Sequence, residues 1–162
     1  MFVDRYPIDA LITHNIDKIS LDADARLFHA MSAMNTAPHH GLPAGIALMV
    51  DEEMHLLGVL TDGDIRKALL AGKEIQTPVG EVMTRNPVAI PDTIPPDEVL
   101  DEVRRQIRES GRMRTIRHAI LIDEDRRVVG LIDVSRLAQS HSWSWDTVGV
   151  IGLGYVGLTL AV

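Results

Sequence analysis

Apolar runs alternate with short polar turns along most of the chain, and the same order of runs occurs twice. The segment IALMVDEEMHLLGVLTDGDI, starting at residue 46, aligns with HAILIDEDRRVVGLIDVSRL, starting at residue 118, an offset of 72. In each copy two apolar runs flank an acidic turn, and the second run contains a glycine, Gly58 or Gly130. Runs of this length bounded by turn residues predict two adjacent buried β-strands in each copy.

A shorter apolar run and an amphipathic segment precede each copy. KISL and then DADARLFHAMSAM lead into the first copy, and PVAI and then PDEVLDEVRRQIRE lead into the second. In the second segment Val99, Leu100, Val103 and Ile107 fall on one helical face. A polar step into a further helix follows each second run. The pattern therefore predicts two units, each with the order strand, helix, strand, strand, helix.

The two units are expected at residues 8–72 and 82–141. A unit of this size buries too little apolar area to be stable alone, so we expect the two to pack as a pseudo-twofold pair. The fold class is then α/β in the broad sense, of the α+β type. SHSWSWD follows the second unit, and residues 142–147 are expected to be a linker between domains.

Composition excludes several classes of function. The net charge of −7 argues against general nucleic-acid binding. No stretch approaches the roughly 18 apolar residues of a membrane span, and the N-terminus does not read as a signal peptide. The chain has no cysteine, which excludes disulfides and thiol chemistry and fits a cytoplasmic location. The histidines show no metal-ligand spacing, and no metal or required cofactor is expected.

The repeat, with GVLTDGDIRKAL in its first copy, resembles a tandem pair of CBS domains, a Bateman module. The resemblance covers roughly residues 8–141. Its signature of glycine, two apolar residues, threonine, aspartate and arginine is complete in Gly58, Thr61, Asp64 and Arg66. The resemblance implies an adenosyl ligand (AMP, ADP, ATP or S-adenosylmethionine) in the cleft between the repeats. It also implies a homodimer through the CBS repeats and regulation of a catalytic domain in cis.

The resemblance also implies roles for individual residues. One carboxylate can accept hydrogen bonds from both ribose hydroxyls, which suits Asp64, while Thr61 adds a hydroxyl near the sugar or phosphate. Amides at the start of the following helix favour an anion. Arg66 either reaches a phosphate or points to solvent. By the family pattern, adenine lies near Ile19, Ser20, Gly45 and Ile46.

A second interpretation needs no ligand. Thr61-x-x-Asp64 is also a capping box, which stabilises the start of a helix. The two roles are compatible. In the second copy Asp133 and Arg136 replace the threonine and the aspartate, and an arginine cannot accept a hydrogen bond from a hydroxyl. We therefore expect one good adenosyl site in each chain.

Three arginines, Arg112, Arg114 and Arg117, occupy a predicted loop just before His118. They either form a solvated loop that balances the acidic first repeat or contact phosphates, and a triphosphate would use them better than a monophosphate. Arg117 and His118 are therefore included among the candidate ligand contacts. No catalytic residue is predicted in the chain.

The last segment, VGVIGLGYVGLTLAV, is an apolar run followed by Gly152-x-Gly154-x-x-Gly157. It resembles the N-terminus of nucleotide-sugar dehydrogenases of the UDP-glucose or UDP-N-acetylmannosamine type, in which these glycines meet the pyrophosphate of NAD. No acidic residue follows to hold the ribose. Residues 148–162 are therefore expected to be a truncated Rossmann stub, NAD is expected only in a longer parent, and this chain is not itself expected to be an enzyme.

Overall fold

The computed structural model describes residues 11–95, 97–109 and 116–140. The strands in this part are β1 (Ile12–Thr13), β2 (Ser20–Leu21), β3 (Ile46–Val50), β4 (Leu56–Thr61), β5 (Ala89–Pro91), β6 (His118–Ile122) and β7 (Val128–Asp133). The helices are α1 (Leu27–Thr36), α2 (Asp62–Leu70), α3 (Val99–Glu109) and α4 (Val134–Ser140). After β1, this order gives strand, helix, strand, strand, helix twice, as the sequence predicts.

Each repeat builds its own sheet on the same plan. In the first, β2 lies parallel to β3, and β3 forms an antiparallel hairpin with β4. In the second, β5 lies parallel to β6, and β6 forms an antiparallel hairpin with β7. The helices cover one face of each sheet and leave the other face for the neighbouring repeat. The expected α+β fold with two paired repeats is confirmed.

The first segment of each repeat crosses over to the opposite sheet. Strand β1, at the start of the first repeat, pairs antiparallel with β7 of the second. Reciprocally, Thr84, at the start of the second repeat, exchanges two backbone hydrogen bonds with Val59 of β4, at N–O distances of 2.8 and 2.9 Å. This exchange could not be predicted from the sequence, because two-residue contacts carry no apolar periodicity. It ties each sheet to the other half of the chain.

A pseudo-twofold axis passes between His55 and Arg127. These two residues are equivalent in the 72-residue offset, and they pair with each other in an antiparallel bridge. The residues before them, Met54 and Arg126, both adopt a left-handed backbone conformation, with φ of 68° and 65°. Equivalent hairpin turns therefore meet at the axis, which confirms the pseudo-twofold packing.

Three clusters of buried side chains form the core. One lies between the two sheets and draws on both repeats. The other two lie between each sheet and its own helices. Strand β3 contributes to two of them, because alternate side chains point to opposite faces. Leu48 faces the other repeat, whereas Met49 faces α1 and α2. The strands therefore join the cluster between the repeats to the clusters within each repeat, because a strand such as β3 contributes side chains to both.

Helix α1 begins later than its sequence suggests. The predicted amphipathic segment opens at Asp22, but Asp22 accepts a hydrogen bond from the amide of Asp24 at 2.6 Å in a turn. The helix starts only at Leu27. In α3 the predicted apolar face is confirmed, since Val99 and Val103 are buried against the second sheet. None of the helices in the described ranges is long and apolar enough to cross a membrane.

Several predicted features lie outside the described residues. They are Arg112 and Arg114, the linker at 142–147, and the dehydrogenase-like segment at 148–162 with Gly152, Gly154 and Gly157.

Candidate functional site

A cavity of about 870 Å³ opens between the two repeats. Its apolar wall comes from Ile46, Val59 and Ile120, which belong to the cluster between the sheets. Polar walls are added by the start of α2, by α3 and by the segment that enters β6. Small-molecule sites in proteins have volumes of roughly 300–1,000 Å³ and combine apolar walls with a few polar groups. This cavity has the size and composition of a ligand site.

Thr61 and Asp64 lie side by side in the cavity wall and form a capping box. The Thr61 hydroxyl donates to Asp64 Oδ2 at 2.7 Å, and the Thr61 amide donates to the same oxygen at 3.1 Å. In return the Asp64 amide donates to Thr61 Oγ1 at 3.3 Å. The capping interpretation of this pair is therefore confirmed. The sequence forms the box because β4 ends at Thr61 and α2 starts at the next residue.

Asp64 is the one charged side chain buried in the described part of the chain, with 8% of its surface exposed. A carboxylate in that position is held by the helix start, which carries partial positive charge. The same side chain therefore belongs both to the helix cap and to the wall of the cavity. The Thr61 hydroxyl, by contrast, already directs its hydrogen to Asp64 and would meet a ligand mainly as an acceptor.

The first turn of α2 offers fewer amides than expected. The Asp62 amide donates to the carbonyl of Gly45 at 3.2 Å, and the Asp64 amide is used by Thr61. This leaves Gly63 as the amide of the first turn that a ligand can use. Gly45 itself has φ of 72°, and a Cβ there would collide with the Asp62 carboxylate. Glycine is therefore required for the close approach of this loop to α2.

The second repeat contributes Arg117 and His118 to the same cavity. The carbonyl of Arg117 accepts a hydrogen bond from the Val134 amide at 2.9 Å, which fixes the backbone and leaves the side chain exposed. Burial lowers the pKa of His118 below its ordinary value; the carboxylate of Asp133 opposes this shift, and the charge of Arg117 adds to it. The imidazole is therefore mainly neutral near pH 7, and it can donate or accept a hydrogen bond.

Three of the predicted contacts lie outside the residues that line the cavity. Ile19 is fully buried in the cluster between the sheets. The hydroxyl of Ser20 donates to the carbonyl of Ile16 at 3.0 Å. Arg66 is exposed on α2. The structure thus brings together six predicted residues, which are Gly45, Ile46, Thr61, Asp64, Arg117 and His118.

Lys67, the segment at 84–88 and helix α3 also line the cavity and were not predicted from the sequence. Lys67 follows Asp64 by three residues, so the helical period could have placed it on the same face. The position of α3 could not be derived in this way, because it depends on how the two repeats pack. Its Gln106 amide donates to the carbonyl of Ala89 at 2.8 Å, which holds the helix against β5.

The charges in the cavity differ in how far they are already paired. Arg105 binds Glu102 and Glu109, with N–O distances of 2.6 and 2.8 Å, and these pairs raise the pKa of its guanidinium. Lys67 and Arg117 make no ion pair with another residue of the described ranges. They are the cations that an anionic ligand could recruit at least cost. No group of three metal-binding side chains occurs in the part of the chain that the structure describes.

The equivalent position in the second repeat is built differently. Asp133 accepts a hydrogen bond from the Arg136 amide at 3.0 Å and so caps α4, much as Thr61 caps α2. Arg136, which replaces Asp64, is exposed, and neither residue lines the cavity. The carboxylate of the first repeat has no counterpart in the second.

Comparison with known proteins agrees with this geometry. A family model described as CBS domain matches residues 9–71 and again residues 79–140. The arabinose 5-phosphate isomerase GutQ of Salmonella typhi is 31% identical over 110 residues, which make up 68% of this chain and 31% of the isomerase. The chain spans less than a third of the length of the curated relatives it matches here.

Solved structures show the same fold. The CBS domain pair of protein MJ0100, in complex with 5-methylthioadenosine and S-adenosyl-L-methionine, gives a TM-score of 0.59 at 23% identity and covers 82% of this chain and 92% of that one. The CBS domain protein PAE2072 from Pyrobaculum aerophilum, complexed with AMP, gives a TM-score of 0.55 at 18% identity. The match covers 72% of this chain and 80% of that one. With most of its length matched by two copies of one family model, this chain belongs to the CBS domain family.

Proposed function

We propose that this chain is a regulatory module that binds an adenosyl nucleotide in the cleft between its two CBS repeats. The observation that carries the proposal is the buried Asp64 carboxylate, held at a helix start in the wall of a cavity that both repeats line. The CBS proteins MJ0100 and PAE2072, which share the fold, hold adenosyl compounds in their solved structures. AMP, ADP, ATP and S-adenosylmethionine are the candidate ligands.

The cleft suggests how the ligand would lie. Asp64 accepts the ribose hydroxyls, because a carboxylate can accept from two neighbouring donors. The apolar wall with Ile46 and Ile120 suits the faces of adenine. Lys67 and Arg117 meet the phosphates, and the neutral His118 adds a hydrogen bond. The proposed contacts at Ile19, Ser20 and Arg66 rest on the family pattern alone.

Regulation would follow from the position of the cleft. A ligand that touches both repeats favours the arrangement of the repeats in which its contacts are best, so binding shifts the population of arrangements. The expected division into repeats at 8–72 and 82–141 is part of this proposal. The cytoplasmic location stays a prediction from the cysteine-free composition.

The test separates the ligand role of Asp64 from its capping role. Asp64→Asn keeps an oxygen that can accept the two hydrogen bonds from Thr61 but removes the charge and one acceptor oxygen. Hydrogen bonds to a charged group contribute about 1.5–3 kcal/mol, so we expect the affinity for AMP or ATP to fall by about tenfold or more in calorimetric titration. The melting temperature should change little.

The matched control for this experiment is Asp133→Asn. Asp133 caps α4 in the second repeat but lies outside the cavity. At pH 7.5 or above, where His118 is neutral with or without the charge of Asp133, its substitution should leave nucleotide affinity unchanged. Equal affinities for the wild type and Asp64→Asn would remove Asp64 from the site.

A purely structural role is the second candidate, because apolar side chains of the first repeat are exposed. Phe28 on α1 and Leu70 on α2 are 53% and 82% exposed, and Met31, Leu69 and Ile75 are also exposed. We propose that these residues form a homodimer interface. Sedimentation of the wild type and of Leu70→Glu tests the dimer. A dimer that binds no nucleotide in titration would favour the structural role alone.

We propose further that the module regulates NAD-dependent oxidation of a nucleotide sugar by a domain in cis. The support is the order of an apolar run and the glycines Gly152, Gly154 and Gly157, which is the order of a dinucleotide-binding turn. The test is the rate of UDP-sugar oxidation by the protein with a complete dehydrogenase domain. Identical kinetics with and without adenine nucleotides would disprove the regulatory role.

A further inference from the structure

A second cavity of about 640 Å³ continues from the cleft. The two cavities share Asp64, Lys67 and Thr84 in their walls, so the second is an extension of the first and not a separate site. It follows one face of α2 to the residue that caps its end, since the lining residues Asp64, Lys67, Ala68 and Ala71 recur at helical spacing. At 1.5 Å per residue, this groove extends about 10 Å along the helix.

The charged side chains that line the groove carry a net positive charge. They are the cations Lys67, Lys73 and Arg85 and the carboxylates of Asp64 and Glu81. Asp64 is held in the capping box at the junction with the cleft. Farther along, Lys73 binds Glu81 with an N–O distance of 2.6 Å, and both side chains are about half exposed. An ion pair this exposed contributes little to stability, so Lys73 can exchange its partner for an incoming anion.

Arg85 is positioned for an anion by the backbone. Its Nη2 donates to the carbonyl of Gly80 at 2.9 Å, which orients the guanidinium without neutralising it. The remaining N–H groups can form the paired hydrogen bonds that guanidinium groups make with phosphate. The groove therefore offers three cationic side chains to an anion that extends from the cleft, and one of them, Lys67, lines both cavities.

We propose that this groove is a polyphosphate subsite, so that the ligand of the cleft is a nucleoside polyphosphate whose distal phosphates pass Lys67 and lie along α2. The proposal rests on the adenosyl function proposed above and narrows it. Adenosine and the first phosphate occupy the cleft, and the second and third phosphates meet Lys73 and Arg85. S-adenosylmethionine is disfavoured, because its sulfonium and ammonium charges would face the same cations.

The experiment is calorimetric titration of the chain with AMP, ADP and ATP in buffer without divalent cations. We expect ATP to bind at least tenfold more tightly than AMP, with ADP between them. Arg85→Ala and Lys73→Ala should each lower the affinity for ATP several-fold and leave the affinity for AMP unchanged. Arg108→Ala is the matched control: Arg108 is exposed, lies outside both cavities and should change neither affinity.

The outcomes separate this proposal from the function on which it rests. Equal affinities for AMP and ATP in the wild type, or equal losses for both in the variants, would overturn the polyphosphate subsite and leave the adenosyl function standing. A chain that binds none of the nucleotides would overturn both. Melting temperatures of the two variants identify any loss that comes from misfolding, and Arg85→Lys, which keeps the charge, should retain part of the preference for ATP.

Discussion

At the scale of the residue, Asp64 combines a structural and a proposed chemical role in one carboxylate. If Asp64 only bound a ligand, Asp64→Ala would leave the fold intact. The capping box changes that expectation, because loss of a cap costs about 1 kcal/mol and leaves the amide of Thr61 without its partner. Loss of binding in an alanine variant would therefore be ambiguous, and the asparagine variant is the cleaner probe.

His118 gives a pH dependence whose sign follows from its burial. Its pKa in the folded protein lies below the ordinary value of 6.5, so the unfolded chain takes up the proton first as pH falls. Burial of His118 therefore does not lower the free energy of unfolding above pH 6.5. This free energy decreases as pH falls from 6.5 through the pKa of His118 in the folded protein. His118→Gln should show a smaller fall in melting temperature between pH 7.5 and 5 than the wild type.

Other groups that titrate with the fold act in a different window. The backbone and side-chain hydrogen bonds from His55 lower the pKa of Asp51, and those from Arg105 and Gln106 lower that of Glu102. Their stabilisation is present above their ordinary values of 3.8 and 4.5 and is lost below them. Equal slopes for the wild type and His118→Gln between pH 7.5 and 5 would contradict the assignment to His118.

Residue-level prediction from the sequence succeeded where the chemistry is local. Thr61 and Asp64 are three residues apart on one helix start, so their neighbourhood could be derived from spacing. The spacing could not show whether Arg66 or its neighbour Lys67 lines the cavity, because that depends on which face of α2 meets the second repeat. Arg66 stands out in the family signature, yet Lys67 is the one that lines both cavities.

At the scale of the element, the hairpin of the first repeat depends on Gly58. A Cβ at this position would lie 2.8 Å from the carbonyl oxygen of Thr84 and 2.8 Å from the Met83 sulfur. Both contacts come from the segment that crosses over from the second repeat. The glycine therefore makes room for the exchange of segments, and the signature glycine of this family pattern has a packing role here.

Gly58→Ala should consequently destabilise the protein by about 1–3 kcal/mol, the usual cost of overpacking a core against backbone. Chemical denaturation measures the change. Gly63→Ala is the comparison, because a Cβ there meets only the Thr61 hydroxyl oxygen at 3.6 Å and alanine suits a helix better than glycine. Similar destabilisation by both substitutions would mean that the contact with Thr84 does not limit stability.

Element order and helix faces were predictable because apolar periodicity reports directly on burial. The boundaries of the helices and the segments that cross between the two sheets were less predictable from the sequence. The hydrogen-bonded turn at Asp22 delays the start of α1. Strand β1 forms only because it pairs with β7, which lies more than a hundred residues away in the chain. Such long-range pairing leaves no local signal in the sequence.

At the scale of the whole molecule, the two repeats share one cluster of buried side chains, so we expect them to unfold together. Leu48 lies fully buried between the sheets, and Met49, the next residue, lies fully buried against the helices of its own repeat. Leu48→Ala and Met49→Ala should each cost about 3 kcal/mol, as large-to-small core substitutions do. Each should shift a single transition, followed by circular dichroism during denaturation.

Two separate transitions in either variant would instead mean that the repeats are independent units. The pair of repeats itself was predictable from the offset of 72 and from the small size of each unit. The cleft was predictable only in part, because its second wall depends on the angle at which the sheets meet.

The crossing of β1 and of Thr84 has a consequence for the origin of the fold. Each leading segment completes the sheet of the other half, in the manner of a domain-swapped pair. Two identical single-repeat chains could make the same exchange around a true twofold axis, since closed symmetric dimers are the commonest oligomers. Fusion of such a dimer into one chain would free its halves to diverge. In an ancestral homodimer one sequence would have encoded both sites, so both would have kept or lost the carboxylate together. After fusion, the position equivalent to Asp64 in the second repeat could become Arg136 while Asp64 remained.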